Sequence, residues 1–117
     1  MVLIIGGAYQ GKLDFAKSTF DLSESDVFTC TGGEIDFSRR CIDRIEEFTL
    51  WCVQSGVDAV AFFQSRREHW QDSILICEDI SAGVVPMGAE MRAWRQMNGL
   101  LCRYLSGDCL LYTSDAA

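Results

Sequence analysis

A glycine-rich turn near the amino terminus carries the first residues whose types and spacing suit a chemical reaction. Gly6, Gly11 and Lys12 fit the pattern G-x-x-x-x-G-K of a phosphate-binding loop. Glycines allow consecutive backbone N–H groups to converge on a phosphate, because side chains there would block its approach. The lysine reaches the terminal phosphates, and the helix that follows adds the positive end of its dipole. The pattern predicts a nucleotide-binding loop made of Gly6, Gly7, Ala8, Tyr9, Gln10, Gly11, Lys12 and Leu13.

One position departs from the phosphate-loop pattern. A Ser or Thr normally follows the lysine, where its hydroxyl binds Mg²⁺, but this chain has Leu13. We therefore expect Mg²⁺ to be held by Asp14 or Asp79 or through water, or to be held weakly. A plain strand-to-helix turn is the alternative to a nucleotide-binding loop.

An apolar run followed by acidic residues forms a second group with chemical potential. Residues 73–77 have the composition of a buried strand, and Glu78 and Asp79 follow directly. Such an element is typical of a Walker-B strand, whose carboxylates hold Mg²⁺ and orient the attacking group. Because ligands lie at the carboxyl ends of parallel strands, we expect Glu78 and Asp79 to face Lys12 as catalytic residues. The alternative is that one of them caps the next turn.

Two arginines lie three residues apart on a helix predicted from about Gly88 to Leu105. Arg92 and Arg95 share one face of that helix. The pair suits phosphate oxygens, and a solvated face explains the spacing equally well.

Several further elements must position these residues. A strand over residues 2–5 precedes the glycine turn, and a helix over residues 12–20 follows it. A second strand, over residues 27–31, ends at Gly32 and Gly33, a pair that indicates either a turn or another ligand-facing loop. Helical spacing predicts a long helix to about Gln54 from Asp36 or Ser38, and another over residues 59–70. The charges of the long helix are expected on a solvated face: Arg39, Arg40, Asp43, Arg44, Glu46 and Glu47.

The bulk composition excludes several classes of protein. A length of 117 residues makes one domain that can bury a core, and the net charge of −7 argues against nucleic acid or an anionic membrane as main partner. No apolar run approaches the length of a membrane span, and no basic segment precedes the first strand, so we expect a cytoplasmic protein. The six cysteines lack C-x-x-C spacing, which favours core packing.

The glycine turn and the acidic segment together resemble the adenosylcobinamide kinase/adenosylcobinamide-phosphate guanylyltransferase family of cobalamin assembly and salvage. Its members have a G-G-A-x-x-G-K loop near the amino terminus, which residues 6–12 match. They also have a strand leading to an acidic residue, a G-[IV]-V-P segment, and a helix with R-x-x-[FW]-R and a glycine. The matching residues are Asp79, Gly83, Val84, Val85, Pro86, Arg92, Trp94, Arg95 and Gly99.

This resemblance implies a P-loop fold with a parallel sheet and a kinase activity. The expected reaction transfers the γ-phosphate of ATP or GTP, with Mg²⁺, to the aminopropanol hydroxyl of adenosylcobinamide. A corrinoid is then the substrate, and the family's trimeric assembly implies a homo-oligomer. The resemblance assigns phosphate binding to the loop glycines and Lys12 and the acidic position to Asp79, with Glu78 beside it and Arg92 and Arg95 on the helix that follows.

The family's second reaction, guanylyl transfer, uses a histidine that follows the second strand. The only histidine here is His69, just before the third predicted strand, which leaves guanylyl transfer without its residue. A nucleotide-binding regulatory or partner protein without turnover is therefore a second candidate, and a kinase for another alcohol is a third.

The last nine residues, 109–117, resemble the translation of a transposon-end sequencing adapter. We expect the genuine chain to end near Asp108, with residues 1–108 forming the kinase-like domain. Because the family continues into a last strand after this helix, we expect the sheet to lack that strand and to keep an unpaired edge.

Overall fold

The chain forms five strands and five helices in a computed structural model that describes residues 1–6, 11–80 and 88–113. The strands are β1 (Val2–Gly6), β2 (Val27–Thr29), β3 (Cys41–Asp43), β4 (Ile74–Glu78) and β5 (Leu110–Thr113). The helices are α1 (Lys12–Phe20), α2 (Ile45–Ser55), α3 (Ala59–Ser65), α4 (Arg67–Trp70) and α5 (Ala89–Asp108). A short 3₁₀ turn, Glu24–Asp26, leads into β2.

The strands make one sheet in the order β2-β3-β4-β1-β5, and every pairing is parallel. The central strand β1 pairs with β4 on one side and β5 on the other. Its register sets Gly6 opposite Glu78, so β1 and β4 end level with each other. The predicted α/β class, a parallel sheet flanked by helices, is confirmed.

Helices cover both faces of the sheet, because alternate strand residues point to opposite sides. Leu3 and Leu75 face a core built with α2, α3, α4 and α5, whereas Ile4 and Ile76 face the side covered by α1. All four of these side chains are essentially inaccessible to solvent. Burying such a side chain contributes roughly 1.5–3 kcal/mol, which makes the two apolar layers the main source of stability.

The connections after β1 and β4 leave the sheet on opposite sides. The chain passes from β1 to α1 on one face, and from β4 to α5 on the other. Neighbouring parallel strands whose connections diverge leave a crevice at their carboxyl ends. The fold therefore favours a ligand site at the carboxyl ends of β1 and β4, where Gly6 and Glu78 lie side by side.

The predicted long helix over residues 36–54 is wrong in its first part. Cys41–Asp43 is a buried strand between β2 and β4, and α2 begins only at Ile45. Arg44 separates the two with a positive φ of 60°. Three residues are too few to distinguish a strand period from a helix period, and pairing with both neighbouring strands decides the outcome. The helix predicted over residues 59–70 likewise breaks at Arg66.

The prediction that the sheet lacks its last strand is also wrong. Leu110–Thr113 forms β5 and pairs in parallel with β1. Tyr112 lies against the rings of Phe15 and Phe20, at centroid distances of 5.7 and 5.9 Å. This aromatic contact ties the strand to α1, while Leu110 stays 62% exposed at the sheet edge.

No helix in the three described ranges is long and apolar enough to cross a membrane. All six cysteines are free thiols, and five of them are buried.

Gly33 lies directly against the ring of Trp51 on α2. A Cβ atom at Gly33 would lie 2.4 Å from Trp51 Cε2, whereas one at Gly32 would lie 4.0 Å from Trp51 Cδ1. The connection between β2 and β3 therefore packs closely on α2 at one of its two glycines.

We predict that Gly33→Ala lowers the free energy of unfolding by about 1–3 kcal/mol, because the new methyl group must displace a packed indole. Gly32→Ala is the matched control. Both substitutions restrict the unfolded chain to a similar extent, so their difference isolates the steric clash. Urea denaturation of the two variants measures it, and equal stabilities would contradict the packing described.

Candidate functional site

A cleft of about 250 Å³ opens at the carboxyl edge of the sheet, where β3, β4 and α1 meet. The described residues that line it are Gly11, Lys12, Leu13, Asp14, Asp43, Arg44, Glu46, Ile76 and Glu78. Of these, four are acidic and two are basic.

Lys12 and Glu78 reach this cleft from two different elements. Lys12 is the first residue of α1, and Glu78 is the last residue of β4. Beyond Glu78, the backbone N–H of Asp79 donates to the Gly6 carbonyl at 2.7 Å, which extends the pairing of β4 with β1 by one residue. The fold therefore brings the predicted Lys12 and Glu78 to the same cleft from two separate elements, α1 and β4.

The start of α1 has the backbone geometry of a glycine-dependent turn. Gly11 has a φ of 64°, in the left-handed region that favours glycine. Its carbonyl accepts the Phe15 N–H at 2.9 Å and so closes the first helical turn. Leu13 and Asp14 follow and line the cleft. Four predicted loop residues lie outside the described residues: Gly7, Ala8, Tyr9 and Gln10.

Two carboxylates that the sequence interpretation assigned to a solvated face line the cleft instead. Asp43 and Glu46 are only 7% and 5% exposed. Asp43 ends β3 in the same way that Glu78 ends β4, and Glu46 lies in the first turn of α2. The local signal for strand β3 is the apolar pair Cys41 and Ile42 before Asp43. This pair is much shorter than the apolar run, residues 73–77, that identified the strand ending at Glu78.

Burial and the negative charge of Glu46 raise the pKa values of two carboxyls in the cleft, those of Asp43 and Glu78. Burial raises the pKa of Asp43, and the charge of Glu46 raises it further. Burial followed by Glu46 also raises the pKa of Glu78, while Lys12 and Arg44 oppose that rise. Lys12 thus acts electrostatically on Glu78 across the cleft.

The remaining predicted site residues do not line the cleft. Asp79 is half-buried just beyond β4, and Arg92 and Arg95 lie on α5. None of the three is among the described lining residues. The predicted loop residues Gly83 to Pro86 belong to residues 81–87, outside the described part of the chain.

A fully protein-bound metal site is absent from the part of the chain that the structure describes. No group of three or more His, Cys, Asp or Glu side chains there is arranged to hold a metal ion. Mg²⁺ usually binds one or two carboxylates and completes its shell with water and phosphate oxygens. The oxygen donors Asp14, Asp43 and Glu78 suit that kind of binding.

Comparisons with known proteins give no family for the chain. No protein-family model matches it, and no curated protein matches its sequence.

We predict that Asp43→Asn raises the thermal midpoint at pH 7 and that this gain shrinks toward about pH 4, near the unperturbed pKa of aspartate. In the parent, the folded state keeps the Asp43 proton to a higher pH than the unfolded chain, so stability falls as pH rises through that window. The amide does not titrate and escapes this loss. Thermal unfolding across the pH range measures the difference.

Asp36→Asn is the control of opposite sign. Hydrogen bonds from the Ser38 side chain and backbone lower the pKa of Asp36, so its contribution is present at neutral pH and lost in acid. This variant should be less stable than the parent at pH 7 and approach it as pH falls. A pH-independent offset for Asp43→Asn would contradict the electrostatic account of the cleft.

Proposed function

We propose that the chain is a nucleotide-dependent kinase of the P-loop type. Its reaction transfers a phosphoryl group from ATP or GTP to the hydroxyl of adenosylcobinamide in cobalamin biosynthesis or salvage. The observation that supports phosphoryl transfer is the cleft shared by Lys12 and Glu78 at the carboxyl edge of a parallel sheet. The corrinoid substrate rests on the family resemblance of residues 6–12 and 79–99.

Lys12 and the start of α1 account for the binding of a nucleotide phosphate. An ammonium group at the first residue of a helix adds its charge to the positive end of the helix dipole. Phosphoryl transfer spreads negative charge over the equatorial oxygens of the moving group, and fixed positive charge stabilises that arrangement. Lys12 is therefore assigned to the transferred phosphoryl group.

The carboxylates across the cleft account for handling of the accepting hydroxyl. Glu78 and Asp43 have raised pKa values from burial, which suits a group that must take a proton from an alcohol near neutral pH. Mg²⁺, when bound, would neutralise charge on the phosphate oxygens, with Asp14, Asp43 and Glu78 as the oxygen ligands that line the cleft. Glu78 is assigned to orient the hydroxyl because it lies on the same cleft as Lys12.

We predict that Lys12→Ala lowers the affinity for ATP or GTP by about 10- to 100-fold, the loss expected for one charged hydrogen-bonding group. Lys17→Ala is the matched control, because Lys17 lies on the same helix but pairs with Glu24 outside the cleft. Isothermal titration calorimetry measures both. An unchanged affinity in Lys12→Ala would remove the proposal.

The acceptor is tested by phosphate transfer from γ-labelled nucleotide to a panel of alcohols that includes adenosylcobinamide. Transfer to adenosylcobinamide supports the proposed substrate. Transfer to a different alcohol alone would retain the kinase and reject the corrinoid.

A nucleotide-binding protein without turnover is a second candidate, and Leu13 favours it. This leucine lines the cleft at the position where a phosphate-binding loop supplies a hydroxyl for Mg²⁺. Tight nucleotide binding without phosphate transfer would support this candidate.

For that candidate we predict that Leu13→Thr increases Mg²⁺-dependent nucleotide hydrolysis over Leu13→Val. Threonine and valine have the same shape and differ in the hydroxyl group, so the comparison isolates the missing ligand. Steady-state release of inorganic phosphate measures it. Equal rates in the two variants would show that the hydroxyl is not what limits turnover.

A further inference from the structure

Both backbone polar groups of Glu78 are bonded by side chains from two different helices. The Glu78 N–H donates to Oε1 of Glu46 on α2 at 2.9 Å. The Glu78 carbonyl accepts from Nδ2 of Asn98 on α5 at 3.0 Å. We call Glu46 and Asn98 together the Glu78 clamp.

The clamp replaces hydrogen bonds that a longer β3 would have made. The N–H of Ile74 donates to Arg40 beside β3, so alternate residues along β4, including Glu78, present their polar groups on that same side. The pairing of β3 with β4 covers only Cys41↔Ile74 and Ile42↔Leu75. Leaving a buried backbone group without a partner costs about 1–3 kcal/mol. Side chains therefore complete the ladder where β3 ends.

Asn98 is fixed in orientation by its other partners. It is 2% exposed, and its Oδ1 accepts from the Thr49 hydroxyl at 2.8 Å and from the Cys77 thiol at 3.3 Å. With donors on its oxygen side, its amide nitrogen must face the Glu78 carbonyl. Trp94 Nε1 adds a donation to the Glu46 carbonyl at 2.9 Å, which ties α5 to the first turn of α2.

We propose that Glu46 and Asn98 are positioning residues that fix Glu78 in the cleft opposite Lys12 for phosphoryl transfer. This inference rests on the proposed kinase function. Packing alone does not account for Glu46, because a buried carboxylate is costly and an apolar side chain of similar size is often at least as stable. Oε1 of this carboxylate accepts from the backbone N–H of Glu78, a residue of the candidate active site, while Oε2 lies 3.8 Å from Nε of the exposed Arg44.

The central experiment compares Glu46→Leu, which removes the acceptor, with Glu46→Gln, which keeps an oxygen for the Glu78 N–H. A displacement of about 1 Å in a reacting group can cost about 100-fold in rate. We expect kcat to fall by about 10- to 100-fold in Glu46→Leu, with KM for the nucleotide nearly unchanged, and to recover in Glu46→Gln. Glu47→Leu removes a neighbouring charge on α2 and leaves both hydrogen bonds of the clamp in place, so it should stay close to the parent.

Asn98→Ala tests the other half of the clamp. It removes the donor to the Glu78 carbonyl and should also lower kcat more than it raises KM. Asn98→Ala leaves the buried hydrogen-bonding partners of Asn98 without a bond, so thermal unfolding is used to check that the variant folds. If it does not fold, the Glu46 variants alone test the clamp.

Hydrogen exchange at the Glu78 amide gives a readout that does not depend on turnover. The amide should exchange slowly in the parent, in Glu46→Gln and in Glu47→Leu, and faster in Glu46→Leu. A parent that transfers no phosphate removes the proposed function, while exchange still decides whether the clamp exists.

Two results would overturn the inference. The first is a Glu78 amide whose exchange is the same in Glu46→Leu as in the parent. The second is a parental kcat in Glu46→Leu despite fast exchange at that amide, because Glu78 would then need no fixing.

Discussion

The parallel pairing of β1 with β4 is the constraint on which the site depends. This register sets Gly6 opposite Glu78, so the turn into α1 and the acidic end of β4 emerge at the same level. A slip of one residue would reverse which side chains of β4 face each apolar layer. Both layers are filled by fully buried residues such as Leu75 and Ile76, so the core that stabilises the fold also fixes Lys12 relative to Glu78.

The short length of β3 determines the charge of the cleft. Because β3 ends at Asp43 and α2 begins two residues later, Asp43 and Glu46 both reach the cleft. Their carboxylates, with those of Asp14 and Glu78, outnumber the cations of the same lining. Burial, followed by repulsion from Glu46, raises the pKa of Asp43 and Glu78. Such a cleft favours a ligand that brings a cation or a proton, as a magnesium nucleotide and an alcohol would.

The sequence predicted the helices and strands that have a long apolar pattern or are bounded by glycines or charged residues. It missed those whose conformation is determined by pairing with neighbouring strands. The strand before Gly6, the helix from Lys12 and the acidic strand ending at Glu78 follow from local patterns and are present. Strand β3 has only three residues and fits a helical period, so the apolar pair before Asp43 is too short to mark the end of a strand. The hydrogen bond from the Glu78 N–H to Glu46 joins residues that are distant in sequence, and no local pattern reveals a contact of that kind.

Whether the chain is a kinase or a passive nucleotide-binding protein depends on the carboxylate side of the cleft. In the proposed function, Lys12 and the dipole of α1 would hold the phosphate, and a binding protein would need little more. A kinase must also hold a group against the accepting hydroxyl, and Glu78 has both of its backbone polar groups fixed by Glu46 and Asn98. Rigidity of that kind contributes little to nucleotide affinity but reduces the reorganisation needed in a transition state. The way Glu78 is held therefore favours catalysis over binding alone.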